Sequence, residues 1–424
     1  MQFKQYPSYK PSGVEWLDKV PEHWHVANIK RSTYLKGRVG WKGLTSNEFE
    51  VESYAYLVTG TDFKNKYVEW SFCYQVNEER FNDDPYIQLK NNDLLITKDG
   101  TIGKLAVVKD LDKPACLNSG IFLIRPEKYY LSEYMYYILK SSVFKNFFEI
   151  HSTGSTILHL YQNVFEKFSF AYPSFNEQKK IVSFLDTETT RIDNLIAKQE
   201  KLIELLEEQR KSIISHAVTK GLDPNAPMKD SGVEWLGDVP SHWRTSSIKY
   251  VCNIDTGNQD TVDALEDGKY PFFVRSKKIE KINEYSFDGE AVLTAGDGAG
   301  VGKIYHYING KFGFHQRVYK MSNFKNILGK FFFFYFSSLF EKVALDGGAK
   351  STVDSLRKAH FDRFIITIPE INEQFRIIEY IEHKTYKIDG LISKQKTLIE
   401  KLKEYRTSII SHAVTGKIDV REFC

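Results

Sequence analysis

Between residues 181 and 213 a mostly apolar series advances in steps of four and three: Ile181, Leu185, Glu188, Ile192, Leu195, Gln199, Leu202, Leu206, Gln209 and Ile213. These steps average the 3.5-residue period of a helical seam. The same steps recur at Ile377, Ile381, Lys384, Ile388, Leu391, Gln395, Leu398, Leu402, Tyr405 and Ile409. No proline interrupts either series, and Pro173 and Pro369 stand just before them. Asn176 and Asn372 are the predicted N-caps, and Glu177 and Glu373 suit the positive end of the helix dipole. Gly221 and Gly416 lie where a left-handed cap ends a helix. The pattern predicts two helices of about 40 residues, each roughly 60 Å long. A lone exposed seam of that length aggregates, so the two are expected to form an intramolecular antiparallel coiled coil. Its contacts would be Ile192, Leu195, Leu202 and Leu206 against Ile388, Leu391, Leu398 and Leu402, with Gln199 and Gln395 facing each other to fix register. A coil between two copies of the chain competes with this reading, but one chain already supplies both partners.

The remaining apolar runs are shorter. Residues 93–97 (DLLIT), 105–108 (LAVV), 121–124 (IFLI) and 291–294 (AVLT) read as strands. Tyr- and Phe-rich helices are predicted over residues 132–148 and about 327–345. The second contains FFFFYF (331–336), far too short to span a bilayer and expected to be buried.

The chain is written twice. KPSGVEWLDKVPEHW starts at Lys10 and KDSGVEWLGDVPSHW at Lys229, an offset of 219 residues. NEQKKIVSFLDTETTRIDNLIAKQ starts at Asn176 and NEQFRIIEYIEHKTYKIDGLISKQ at Asn372, an offset of 196. The first half is therefore 23 residues longer, and the excess lies in its middle. Anchors persist there: Asp99–Gly100 matches Asp297–Gly298, Ser155–Thr156 matches Ser351–Thr352, and Phe165 and Phe168 match Phe361 and Phe364. Trp16 with Trp235, and Trp24 with Trp243, read as packing anchors. The expected architecture is mixed α/β and pseudo-twofold, with two globular α/β domains separated by the long helices. The boundaries are a repeat segment (1–23), a first domain (24–172), the central helix (173–223), a linker with the second repeat segment (224–242), a second domain (243–368) and the C-terminal helix (369–424).

Composition changes this picture little. Of the 424 residues, 42% are hydrophobic and 27% charged, and the formal net charge is +3. So small an excess neither demands nor forbids nucleic acid; local clustering decides. The opening MQFKQYPSYK shows no signal-peptide core. Cys73, Cys116, Cys252 and Cys424 form no C-x-x-C pair, which fits a reducing cytoplasm.

Three loop sets suit duplex DNA. The first, residues 36–43 (KGRVGWKG), alternates Lys36, Arg38 and Lys42 with glycines, so charge and backbone can approach phosphates closely. Its counterpart, 255–259, carries Asn258 and Gln259, whose amides can pair with adenine. The second is 97–104, with Lys98, Thr101 and Lys104, matched by 295–303 with Lys303. The third holds Thr156, His159, Tyr161 and Gln162, matched by Lys350, Ser351 and Arg357. Arg275, Lys277, Lys278, Gln316 and Arg317 add to the second domain. An ordinary turn or a solvated surface charge competes at each position. Asp99 and Asp297 read as turn-formers.

Catalytic motifs are missing. Gly302–Lys303 and Gly103–Lys104 lack the other positions of a P-loop, with Asp297 and Ile304, and Lys98 and Leu105, in their places. Gly296 and Gly298 are followed by Val301, which breaks the dinucleotide pattern. Residues 83–86 (DDPY) lack the second proline of an adenine-methyltransferase element and read as a turn. The eleven histidines form no metal-ligand motif, and His216 and His412 repeat at the helix ends.

The order SGVEWLxxVPxHW, a variable middle, and NEQ followed by a helix ending in SIISHAVT, all repeated, resembles the type I restriction–modification specificity subunit over nearly the whole chain. GRVGWKGLT with LLITKDGTIGK is similar to a common version of that family's target-recognition domain. The second domain departs at the first loop, so two dissimilar half-sites are expected. The resemblance implies a chain that carries specificity rather than catalysis. One half of an asymmetric bipartite DNA site is read per domain, across a spacer set by the helices. It also implies two modification subunits bringing S-adenosylmethionine chemistry to adenine N6, and ATP-driven restriction subunits, with no cofactor in this chain and no membrane role. A methylation-only complex, a coiled-coil scaffold without a DNA role and a fused enzyme remain alternatives at this point.

Overall fold

Uninterrupted helix-forming sequence after Pro173 and Pro369 produces the two dominant elements, helices at Phe175–Lys220 and Ile371–Val414. At 46 and 44 residues they exceed the expected length. The computed structural model describes residues 3–38, 44–151, 159–344 and 355–423. Both helices end as predicted, with Gly221 and Gly416 at positive φ (+76° and +69°). Their starts differ from expectation. Ser174, not Asn176, receives the first helix: its Oγ accepts from the Glu177 N–H at 3.4 Å and its carbonyl from Gln178 N–H at 2.9 Å. Glu370 O plays that part in the second, accepting from Glu373 and Gln374 N–H. The predicted caps therefore lie inside the first turn.

The chain forms two compact units, residues 1–198 with 397–424, and residues 199–396. In the first, the start of one long helix packs on the end of the other. Ile181, Leu185 and Ile192 share a core with Ile409, Ile410, Ala413 and Val414, with Ile196 and Leu402 beside it. Arg406 chelates Asp193 there, Nε to Oδ1 at 2.8 Å and Nη2 to Oδ2 at 3.0 Å. In the second unit Leu206 packs with Ile388 and Ile392, and Arg210 Nε meets Asp389 Oδ1 at 3.1 Å. Both pairs run antiparallel, and both use the same two repeat positions, Asp193/Asp389 and Arg210/Arg406, in exchanged roles.

The predicted seam needs correcting. Leu202 (38%), Leu391 (45%) and Leu398 (40%) are exposed, whereas Ile392 and Ile399 are buried. An unsupercoiled helix keeps 3.6 residues per turn and drifts about 20° per heptad from a 3.5 repeat, so the buried stripe moves off the leucines. Leu195 is only half-buried. Gln395 Oε1 is buried and accepts no hydrogen bond among the described residues, from Gln199 or any other. The ion pairs mark the register instead.

Each unit carries a six-stranded sheet. In the first its order is Thr33–Gly37, Ile121–Pro126, Leu94–Thr97, Leu105–Val107, Tyr67–Val68, Phe63–Lys64. In the second it is Asn253–Thr256, Val318–Ser322, Phe287–Ala295, Tyr305–Phe314, Tyr270–Phe273, Glu280–Ile282. The first unit adds a three-stranded sheet, Ala115–Leu117, Ala55–Val58 and Tyr74–Val76, with its own core of Leu57, Val58, Val76 and Cys116. Among the described residues the second unit has no counterpart to it, which fits the longer first half.

The repeated aromatic residues do the anchoring expected of them. Trp24 and Trp243 are fully buried, as are Phe165, Phe168, Phe361 and Phe364. Trp235 stacks on Phe364 at 5.5 Å, and Trp16 packs on Phe147 at 4.8 Å. The phenylalanine run sits in the buried helix Gly329–Ala344. Its counterpart is two helices, Ser132–Lys140 and Ser142–His151, rather than one. Ser141 breaks it, adopting an extended conformation while its Oγ bonds Ile138 O at 2.6 Å. Cys73, Cys116 and Cys252 are buried free thiols. Among the described residues no helix is long and apolar enough to cross a membrane, and no cluster of His, Cys, Asp and Glu could hold a metal ion.

Candidate nucleic-acid interface

The strand Leu94–Thr97 delivers its chain into a turn at Gly100 and Gly103, both at positive φ. Gly298 and Gly302 do the same after Phe287–Ala295. The aspartates at these turns were expected to shape them, and here the structure corrects the sequence reading. Asp297 precedes the short 3-10 turn Gly298–Gly300 but makes no side-chain cap bond to it. Its two oxygens hold arginines instead: Arg275 Nη1 on Oδ1 at 2.9 Å and Arg317 Nη1 on Oδ2 at 2.6 Å. Asp99 likewise holds Lys98 Nζ on Oδ2 at 2.6 Å and His159 Nδ1 on Oδ1 at 2.8 Å.

Burial alone would push both carboxyls up. Hydrogen bonds and charge from Arg317 and Arg275 outweigh it at Asp297, and Lys98 and His159 do so at Asp99, so both sit below the ordinary carboxylate value. The second and third predicted loops thus converge in each unit. Leu160 N–H bonds Lys98 O at 3.0 Å. Ser355 bridges Asp297, and Leu356 N–H bonds Gly296 O at 2.7 Å. A cavity of about 300 Å³ beside Asp297 is lined by Arg275, Ser276, Thr261 and Gly298.

The other predicted residues divide into exposed and engaged. Thr101, Lys104, Tyr161, Asn258, Lys277, Lys303 and Arg357 are exposed. Lys36 Nζ lies 5.9 Å from the rings of both Tyr34 and Tyr86, and Tyr86 is 64% exposed. Lys278 is exposed and pairs with Glu280. Gln316 Nε2 bonds Asp260 Oδ2 at 2.6 Å, and Gln162 Nε2 bonds Glu166 Oε1 at 3.0 Å. Two residues turn inward. Arg38 is buried, its Nε donating to Leu117 O at 2.9 Å and so tying two sheets together. Gln259 accepts from Phe314 N–H and Ser286 Oγ and donates to Glu284 O, so both ends of its amide are engaged within the protein. Lys42, Thr156, Lys350 and Ser351 lie outside the described residues.

Sequence reasoning passed over two residues that fasten the long helices to their units. Gln178 and Gln374 are fully buried. Gln178 accepts from Leu131 N–H at 2.9 Å and donates to Tyr129 O and Pro173 O. Gln374 repeats the pattern on Leu328 N–H, Asn326 O and Pro369 O. Each fastens the start of a long helix to the entry of the Tyr/Phe-rich helical segment of its unit. The available signal was the identity of NEQ in both copies. Glu177, from the same motif, accepts from Tyr6 Oη at 2.7 Å and Trp24 Nε1 at 3.1 Å and contacts His23 Nε2 at 3.0 Å.

A mixed α/β framework used twice, with a carboxylate holding two basic side chains in each sheet-rich unit and a long helix between, defines a duplicated recognition protein. The model of the type I restriction modification DNA specificity domain matches residues 42–207 and again 240–401. The chain belongs to that family and is a specificity subunit for DNA target recognition. It is similar to the MjaVIII specificity subunit of Methanocaldococcus jannaschii, 24% identical over 95% of each chain. It is also similar to the EcoDI specificity subunit of Escherichia coli, 28% identical over 43% of this chain and 40% of that relative's length. A solved structure described as concerning complex assembly and conformational transition of the type I R-M system superposes with a TM-score of 0.72. It is 15% identical over 94% of this chain and 99% of its own. The HsdS subunit of Thermoanaerobacter tengcongensis gives 0.52, again at 15% identity, over 94% and 98%. At that identity the likeness is one of fold.

Proposed function

We propose that each unit reads one half of an asymmetric, bipartite duplex site, with the paired helices setting an unread spacer. The observation that carries this is a shared framework bearing dissimilar side chains: Lys98 and His159 on one aspartate, Arg275 and Arg317 on the other. Different hydrogen-bonding groups on the same scaffold are what two different base sequences require. Within each unit an antiparallel ion pair, Asp193–Arg406 in one and Arg210–Asp389 in the other, supports the pairing of the helices on which the spacer reading depends.

Partner recruitment completes this reading. Two modification subunits bind the ends of the helices. Restriction subunits join them. S-adenosylmethionine and ATP belong to those partners, catalysis lies with them, and the assembly works in the cytoplasm, where its DNA is. The test is to co-express the chain with a modification subunit and map adenine methylation in the host genome. A bipartite motif with two dissimilar halves is expected; methylation without such a motif, or none, overturns the proposal.

A further inference from the structure

We propose that Asp297 is a positioning residue that presents Arg317 and Arg275 to the major-groove edge of guanine, making guanine a required base in the half-site read by residues 199–396. This rests on the two-reader function proposed above and names what one reader recognises.

The geometry favours a base over a phosphate. Each guanidinium gives one Nη1 to Asp297, at 2.6 Å for Arg317 and 2.9 Å for Arg275. A guanidinium has five N–H donors in a fixed fork, so each arginine keeps an edge able to donate twice. Arg317 is 60% exposed and Arg275 43%, so those edges reach solvent. The carboxylate between them discriminates among acceptors. It cancels part of the arginines' charge and so weakens their pull on a phosphate, but leaves the neutral O6 and N7 of guanine unopposed.

The mount is rigid. Arg317 N–H donates to Nδ1 of buried His315 at 2.9 Å, and Gly296 N–H bonds Arg317 O at 2.8 Å. Fixing the arginines before binding removes the rotamer entropy that a mobile side chain loses on contact. Among the described residues the Asp297 side chain makes no cap bond to the Gly298–Gly300 turn and holds the two arginines instead. The first unit gives an internal comparison, because Asp99 holds a lysine and a histidine, a different donor set.

The experiment uses the full chain with its modification subunit, comparing methylomes of the wild type, Arg317→Ala, Arg317→Lys, Asp297→Asn and Asp99→Asn. The wild-type motif should contain guanine in one half-site. Arg317→Ala should relax that position, lowering discrimination by about 5- to 150-fold, the range of a bidentate pair. Arg317→Lys should retain part of it, and Asp297→Asn should relax the same position. Added to an Arg275→Ala/Arg317→Ala background, Asp297→Asn should change nothing further; a purely structural aspartate would still lower methylation there. Asp99→Asn should leave that half-site unaltered. A half-site without guanine, or Arg317→Ala weakening methylation uniformly with no position relaxed, overturns the inference while the bipartite wild-type motif leaves the two-reader function standing. Absence of any bipartite motif in the wild type sinks both.

Discussion

Glu177 and Glu373 occupy the same repeat position, yet their removal should have unequal consequences. Glu177 is buried and takes bonds from Tyr6 Oη and Trp24 Nε1, whose own side chains are buried. Replacing it with alanine strands both donors. Each stranded buried donor costs about 1–3 kcal/mol, so Glu177→Ala should cost roughly 2–6 kcal/mol. Glu373 has only His242, at 2.9 Å and half exposed, and Trp243 Nε1 is already buried without a partner. Tyr6 is replaced by Asn225 at the 219-residue offset. Glu373→Ala should therefore lose about 0–1 kcal/mol, the worth of an exposed pair. Two units make a single unfolding free energy ill-defined, so the assay is amide hydrogen exchange. Protection over residues 3–24 should collapse in Glu177→Ala and persist over residues 225–243 in Glu373→Ala. Equal losses at the two sites would refute the reasoning.

Three further outcomes are expected. Gln178→Leu keeps the volume but strands Leu131 N–H and two carbonyls, and should cost about 3 kcal/mol or more in denaturant titration of the first unit. An unchanged midpoint would contradict that. Inserting a heptad into both long helices near residues 202 and 398 should lengthen the methylated spacer and leave both half-sites unchanged, as read by methylome sequencing. Because Asp99 and Asp297 lie below their unfolded values, the stability they contribute is present above the ordinary carboxylate pKa and fades as pH falls through the folded one. Thermal scans of Asp297→Asn and wild type should accordingly differ at pH 7 and converge as the pH drops below about 4.

Much of the architecture was legible because the chain repeats itself: helix ends, tryptophan anchors and the mixed α/β class all follow from sequence compared with itself. The seam was misplaced because a strict heptad template was imposed on the pattern, whereas Ile392 and Ile399 are buried in place of Leu391 and Leu398. At the candidate interface, residue type could not assign side-chain partners. Arg38 and Gln259 look like DNA contacts in sequence; a neighbouring sheet and the Phe314 backbone claim them. Asp99 and Asp297 look like turn residues, and only three-dimensional proximity joins them to His159, 60 residues away, and to Arg275 and Arg317, 22 and 20 residues away.

The discontinuity of the first unit bears on how the protein is made. Its core includes Ile409, Ile410, Ala413, Val414 and Val420, which reach it only after the whole of residues 199–396 has been synthesised. The second unit is one continuous stretch and can finish first. Until residues 397–420 emerge, Trp24, Ile181 and Leu185 await their packing partners, so the earliest-made sequence is the last to be sealed. Ribosome stalling late in the message would release a chain with one finished unit and one open, chaperone-dependent core.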